Sequence, residues 1–183
     1  KAQIQLEKLN SLIADLLDIS KIESGKLKFN KQDFNIDDLL DNVIEVMHQS
    51  NPGFTIKKVG NVGCSVYGDE MRIEQVVVNF LTNAIKYAPD TTEAYLKCSL
   101  TDDELSISVK DFGIGMLPDQ QNHVFDKFYR VEETSQRFQG LGIGLYISAE
   151  IIKRHGGKIG VNSVYGEGSE FYFSIPINLK TEV

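Results

Sequence analysis

Two carboxamides and an amine share one face of a predicted helix. In Asn79-Phe80-Leu81-Thr82-Asn83-Ala84-Ile85-Lys86-Tyr87, the residues Asn79, Asn83 and Lys86 fall at i, i+4 and i+7. Val76, Val77, Phe80, Leu81 and Ile85 make the rest of that helix apolar. An unpaired buried amide costs about 1–3 kcal/mol, so each carboxamide needs a partner. Its oxygen suits a hard cation such as Mg²⁺, which keeps several waters and shares phosphate oxygens. Hydrogen bonds to loop backbone would satisfy it equally well, and this segment alone leaves both readings open.

Three further segments carry chemistry. Asp111-Phe112-Gly113-Ile114-Gly115-Met116 follows a strand-like run. A carboxylate there can accept from an exocyclic amine, and the glycines let a ligand approach the backbone. By itself this spacing is a common turn. Gly140-Leu141-Gly142-Ile143-Gly144-Leu145 opens an apolar helix. Free N–H groups and the positive end of a helix dipole make such a junction a phosphate cradle. No Lys-Ser/Thr follows, so it is not a Walker loop, and the glycine spacing is not a dinucleotide fingerprint. Phe125-Asp126-Lys127-Phe128-Tyr129-Arg130 places Lys127 and Arg130 among aromatic anchors. An arginine can fork onto phosphate oxygens, while a lysine acts as a point charge.

These groups need elements to hold them. Leu6, Leu9, Ile13 and Leu16 make a stripe on a first helix that Gly25 closes as a left-handed cap. The stripe is expected to meet a second chain or another helix rather than the following domain. Leu27–Asn30 reads as a short strand, and Asn35 caps a helix through Met47. Phe54–Val59 and Val62–Tyr67 suggest a strand pair around Gly60-Asn61, and Asp69 caps a long helix to Tyr87. Glu93–Leu100 and Leu105–Asp111 suggest a hairpin. Residues 117–140 are polar, with one short apolar helix expected near Val124, Phe125 and Phe128. A helix from Gly142 to His155 and strands at Lys158–Val164 and Ser169–Ile175 complete the chain. Helices and strands mix without strict alternation. That predicts an α/β sandwich, a mixed sheet covered on one face by helices and preceded by the amphipathic first helix.

Composition narrows the class. The 183 residues suffice for one domain plus an appendage, and a net charge of −7 argues against a protein that wraps nucleic acid. No run of about 18 apolar residues is present. Cys64 and Cys98 occur singly, which suits a reducing compartment and no metal cluster.

The order of the four segments resembles the catalytic domain of sensor histidine kinases, within the GHKL superfamily that also holds gyrase, HSP90 and MutL. Asn79–Tyr87 is similar to the N box, Asp111–Gly115 to the G1 box, Phe125–Arg130 to the F box and Gly140–Gly144 to the G2 box. Asp15–Lys26 resembles the end of the second dimerisation helix. Departures are small, with Phe80 for a common Leu and Leu141 for a frequent Thr or Ser. The resemblance implies the two-layer α+β sandwich of the Bergerat (GHKL) fold. It implies a dimerisation-helix end over residues 1–25, a catalytic and ATP-binding domain over 26–180, and an ATP lid over about 117–140. Asp111 would contact the adenine amine, with Gly113 and Gly115 beside it. Asn83 and Asn79 would hold Mg²⁺, and Lys86, Lys127 and Arg130 would face the phosphates. Tyr87, Gly140, Leu141, Gly142, Ile143, Gly144, Leu145 and Ser169 would line the nucleotide site. The catalytic set would be Asn79, Asn83, Lys86 and Arg130.

The reaction turns on position 79. Hydrolytic relatives resemble ExxxN there, the Glu activating water, whereas Asn79 is a neutral amide that takes no proton. That favours transfer of the γ-phosphoryl group to a protein histidine over hydrolysis, and the intact polar set weighs against a binding module without chemistry. His48, His123 and His155 do not resemble the acceptor motif, which in the family precedes the position of Lys1. The fragment is therefore expected to bind ATP but not to autophosphorylate alone. The resemblance further implies a homodimer through the dimerisation helices, relay to a response-regulator receiver domain, and a cytoplasmic setting, whether or not the parent is membrane-anchored.

Overall fold

The computed structural model describes residues 2–101, 103–131 and 140–177. Helix α1 (Ala2–Glu23) leads into strand β1 (Gln32–Asn35), helix α2 (Ile36–Ser50), and strands β2 (Thr55–Val59) and β3 (Ser65–Gly68). Helix α3 (Glu70–Tyr87), strands β4 (Glu93–Leu100) and β5 (Glu104–Lys110), and short helix α4 (Pro118–Gln121) follow. Helix α5 (Gly144–Arg154) and strands β6 (Lys158–Val164) and β7 (Gly168–Pro176) close the fold.

The main sheet has the order β2-β4-β5-β7-β6, and β1 pairs with β3 in a separate two-stranded ribbon. Only β2 and β4 run parallel, so the sheet is mixed, as expected. Alternation along β5 and β7 sends Leu105, Ile107, Val109, Phe171, Phe173 and Ile175 into the core. There they meet the apolar face of α3, formed by Ile73, Val76, Val77, Phe80, Leu81 and Ala84. The Phe80 ring lies 5.5 Å from Phe171 and 6.1 Å from Phe173. Burying each such side chain stabilises the fold by about 1.5–3 kcal/mol. Ile147, Ile151 and Ile152 of α5 fill the same layer beside α3.

Local chemistry explains the element ends. The Asn35 side chain accepts from the Asp37 and Asp38 N–H groups, and Asp69 accepts from the Arg72 N–H. At the end of α1, Gly25 has φ 67° and the Lys26 N–H reaches Lys21 O at 2.8 Å, closing a Schellman cap.

Three expectations need correction. Leu27–Asn30 forms no strand and joins no sheet. Its polar backbone is met by side chains instead: Arg154 donates to Leu27 O, and the Asn30 N–H donates to Asp69. Strands β2 and β3 do not pair with each other. The intervening loop turns away at Gly60 and Gly63, and Asp37 takes the Val62 and Gly63 N–H groups at 3.0 and 2.7 Å. The short helix after Met116 covers Pro118–Gln121 rather than Val124–Phe128, because proline is tolerated in the first turn.

The α1 stripe divides. Ile19 and Ile22 are buried on the domain, and Asp18 pairs with Arg72 at 2.7 Å and accepts from Gln75 at 3.1 Å. Upstream, Leu6, Leu9, Ile13, Leu16 and Leu17 remain exposed, each by about half. No helix among the described residues is long and apolar enough to cross a membrane.

Candidate functional site

A cleft of about 1000 Å³ opens between α3, the end of β5, the segment 129–131 and the tip of α5. Asp111 sits at its floor, directly after β5. The carboxylate is 4% exposed, and its Oδ1 accepts from the Gly113 N–H at 2.9 Å and the Ser169 N–H at 3.2 Å. Burial pushes the Asp111 carboxyl above its ordinary range, while the two N–H donors oppose that shift. With Oδ1 so occupied, Oδ2 is the oxygen left for a ligand donor. Ser169 is itself tied down, its hydroxyl 2.9 Å from the Ser163 hydroxyl, which also accepts from the Met116 N–H at 2.8 Å.

The face of α3 supplies the opposite chemistry. Asn79, Asn83, Lys86 and Tyr87 all line the cleft, because residues three and four apart stack on one helical side. The Asn83 carboxamide makes no hydrogen bond to a described residue, although it is half-buried. Asn79 differs. Its Nδ2 donates to the Ser148 hydroxyl at 3.0 Å, and its Oδ1 has no described partner. The Lys86 ammonium lies 3.0 Å from the Tyr87 hydroxyl, and a Cβ on Gly140 would come 3.3 Å from it.

The tip of α5 completes the wall. No side chain among the described residues caps this helix, so its first N–H groups stay available to an anion. Gly142 is held at φ 70°, and a Cβ there would come 2.4 Å from Tyr129 O. A Cβ on Gly144 would come 2.6 Å from Asn79 Oδ1, so only glycine lets the two helices meet here.

The structure thus brings together Asn79, Asn83, Lys86, Tyr87, Asp111, Gly115, Arg130, Gly140–Leu145 and Ser169. Two expected residues lie outside. Gly113 backs onto the α3 end, where a Cβ would come 2.2 Å from Tyr87 O. Lys127 forms an ion pair with Glu23 of α1 and covers the Phe128 ring at 5.0 Å. Phe128 carries a positive φ of 64°, a strained setting for an aromatic residue. Of the proposed lid, residues 132–139 lie outside the described residues. None of the three histidines lines the cleft: His48 accepts from the Ile56 N–H, His123 contacts Asp126, and His155 accepts from the Asp69 N–H.

Sequence reasoning missed Ser148 and Ser163, whose hydroxyls act on residues distant in the chain. It also missed Asp15 of α1, which lines the same cleft. Burial and the neighbouring Asp18 push the Asp15 carboxyl up.

A cleft floored by a carboxylate, walled by a carboxamide face and closed by a helix tip suits a nucleotide. The chain belongs to the histidine kinase-, DNA gyrase B- and HSP90-like ATPase family, which it matches over residues 68–179. Within that family it is similar to hybrid signal transduction histidine kinase B of Dictyostelium discoideum, 36% identical across 93% of this chain and 9% of that protein. It is also similar to sensor histidine kinase WalK of Bacillus subtilis, 32% identical across 98% of this chain and 30% of that protein. The chain therefore spans less than a third of the length of either relative. Among solved structures, full-length ShkA in complex with AMPPNP superposes with a TM-score of 0.79 at 28% identity, over 93% of this chain and 36% of that one.

Proposed function

We propose that this chain is the ATP-binding catalytic portion of a sensor histidine kinase. Residues 1–25 would end the second dimerisation helix, 26–180 would form the catalytic domain, and about 117–140 the lid. The observation that carries the reading is the convergence of Asp111, the Asn83 carboxamide and the α5 tip on one cleft, the last two without a side-chain partner among the described residues. Asp111 Oδ2 accepts from the adenine amine. The α5 N–H groups, Lys86 and Arg130 hold the phosphates.

The carboxamide oxygens of Asn83 and Asn79 fit Mg²⁺, being hard neutral donors beside the phosphate cradle. When bound, that ion neutralises charge on the phosphate oxygens. This chain's residues position and neutralise, and the attacking imidazole comes from another helix. Its nitrogen bonds to the γ-phosphorus as the bond to the β,γ-bridging oxygen breaks, leaving ADP, and the imidazole proton goes to a base or to solvent. Homodimerisation through the exposed α1 stripe, relay to a receiver domain and a cytoplasmic location belong to the same proposal.

Position 79 offers no carboxylate to activate water, but Asp15 lines the cleft. The test therefore has two parts. A longer chain with its upstream helix should acquire acid-labile, base-stable phosphate from γ-labelled ATP. Free phosphate release should stay slow and be no slower in Asp15→Asn. Rapid release that Asp15→Asn abolishes would instead make the protein a hydrolase.

A further inference from the structure

Ser148 stands four residues inside α5, 1% exposed, where no sequence rule asks for a hydroxyl. Its hydroxyl is placed to donate to Gly144 O, at 2.9 Å. With that donation made, the oxygen accepts from Asn79 Nδ2 at 3.0 Å. The two bonds together favour one orientation of the Asn79 amide. With Nδ2 held against Ser148, Oδ1 lies on the Gly144 side, along the cleft wall. In the flipped amide, the hydroxyl would have to leave Gly144 O in order to donate to Oδ1. Two N–H donors would then face the place where a cation belongs. The close packing on Gly144 also denies the side chain room to swing elsewhere.

We propose that Ser148 is a positioning residue that locks the Asn79 carboxamide with its oxygen toward the metal end of the cleft. The inference rests on the Mg²⁺ placement proposed above. Asn83, one turn further on, has no such clamp among the described residues and can turn to its ligand. One carboxamide is thus preorganised and the other adaptable. Residues behind a ligand commonly set metal affinity by about 10–100-fold through orientation alone.

The experiment compares wild type, Ser148→Ala, Asn79→Ala and the double variant. Affinity for a non-hydrolysable ATP analogue is measured calorimetrically with Mg²⁺ and with EDTA. Ser148→Ala should weaken binding roughly 10-fold with Mg²⁺ and leave the EDTA value within about twofold. It should add nothing in the Asn79→Ala background, since it acts through that amide. Ser148→Cys, similar in size and a poorer hydrogen-bonding group, should move affinity in the same direction. The Asn79 side-chain NH₂ resonance of the nucleotide-free protein should shift in Ser148→Ala, a readout that needs no metal. Equal losses with and without Mg²⁺, or a loss undiminished in the Asn79→Ala background, would overturn the positioning role and leave the nucleotide reading standing. If Asn79→Ala itself shows no Mg²⁺-specific loss, the metal-facing role of Asn79 and the inference fall together, while adenine recognition by Asp111 is tested separately.

Discussion

Asp111→Asn is the sharpest perturbation of the cleft, because the surrounding backbone dictates how the new amide must sit. The Gly113 and Ser169 N–H groups converge on Oδ1 at 2.9 and 3.2 Å and require an acceptor there. The amide oxygen must take that place, so its NH₂ replaces Oδ2 and faces the exocyclic amine of adenine, donor against donor. A hydrogen bond to a charged group contributes about 1.5–3 kcal/mol, and an unpaired buried donor costs about 1–3 kcal/mol more. The sum, about 2.5–6 kcal/mol, corresponds to an affinity loss on the order of 10²–10⁴-fold.

Calorimetric titration with ATP and with inosine triphosphate separates this mechanism from general damage. Inosine carries a carbonyl where adenine carries its amine, so the new NH₂ can donate to it. The variant's preference for ATP should shrink at least about 10-fold as a result. Ligand-free stability should move the other way. Burial raises the folded-state value of Asp111, so its contribution is full in acid and is lost as pH rises through that raised value. An amide does not ionise, so the variant should gain stability relative to wild type over that interval. Unchanged ATP affinity, or equal weakening of both nucleotides, would refute the assignment of Asp111.

Other perturbations report on the frame. Asp18→Ala removes the carboxylate from Arg72 and Gln75 and should cost about 2 kcal/mol in urea unfolding, with faster hydrogen exchange in the last turns of α1. Lys127→Gln breaks the contact with Glu23 and should change ATP affinity by less than about threefold, since Lys127 lies outside the cleft; a loss above 10-fold would return it to the phosphate site. His155 is buried, donates from Nδ1 to Ile151 O and accepts the Asp69 N–H on Nε2, and burial lowers its folded-state value. Its depressed value means stability is full above the ordinary histidine range and falls as pH drops below it, so urea midpoints should decline from pH 7.5 to 5, and less steeply in His155→Gln. Cys98 is 4% exposed with its thiol pushed up to about 12, so a thiol reagent should modify it only on unfolding.

The sequence by itself determined whatever depends on short-range periodicity and on residue chemistry. The i, i+4, i+7 placement of Asn79, Asn83 and Lys86 follows from helical pitch. Likewise, Asn35, Asp69 and Gly25 announce the helix ends through hydrogen bonds that close within a few residues. The four segments, taken in order, were enough to point to the ATP-binding family. Tertiary structure alone decided partnerships across long stretches of chain. Strand β2 chose β4 rather than β3 because Asp37, 25 residues before Val62, holds the loop between them open. Lys127 turned from the expected phosphates to Glu23, 104 residues away, and Ser148 reached Asn79 across 69 residues. A single charge or hydroxyl has many acceptable partners, and no local rule ranks them. Which one it meets is settled only when α1, α3 and α5 pack against the sheet.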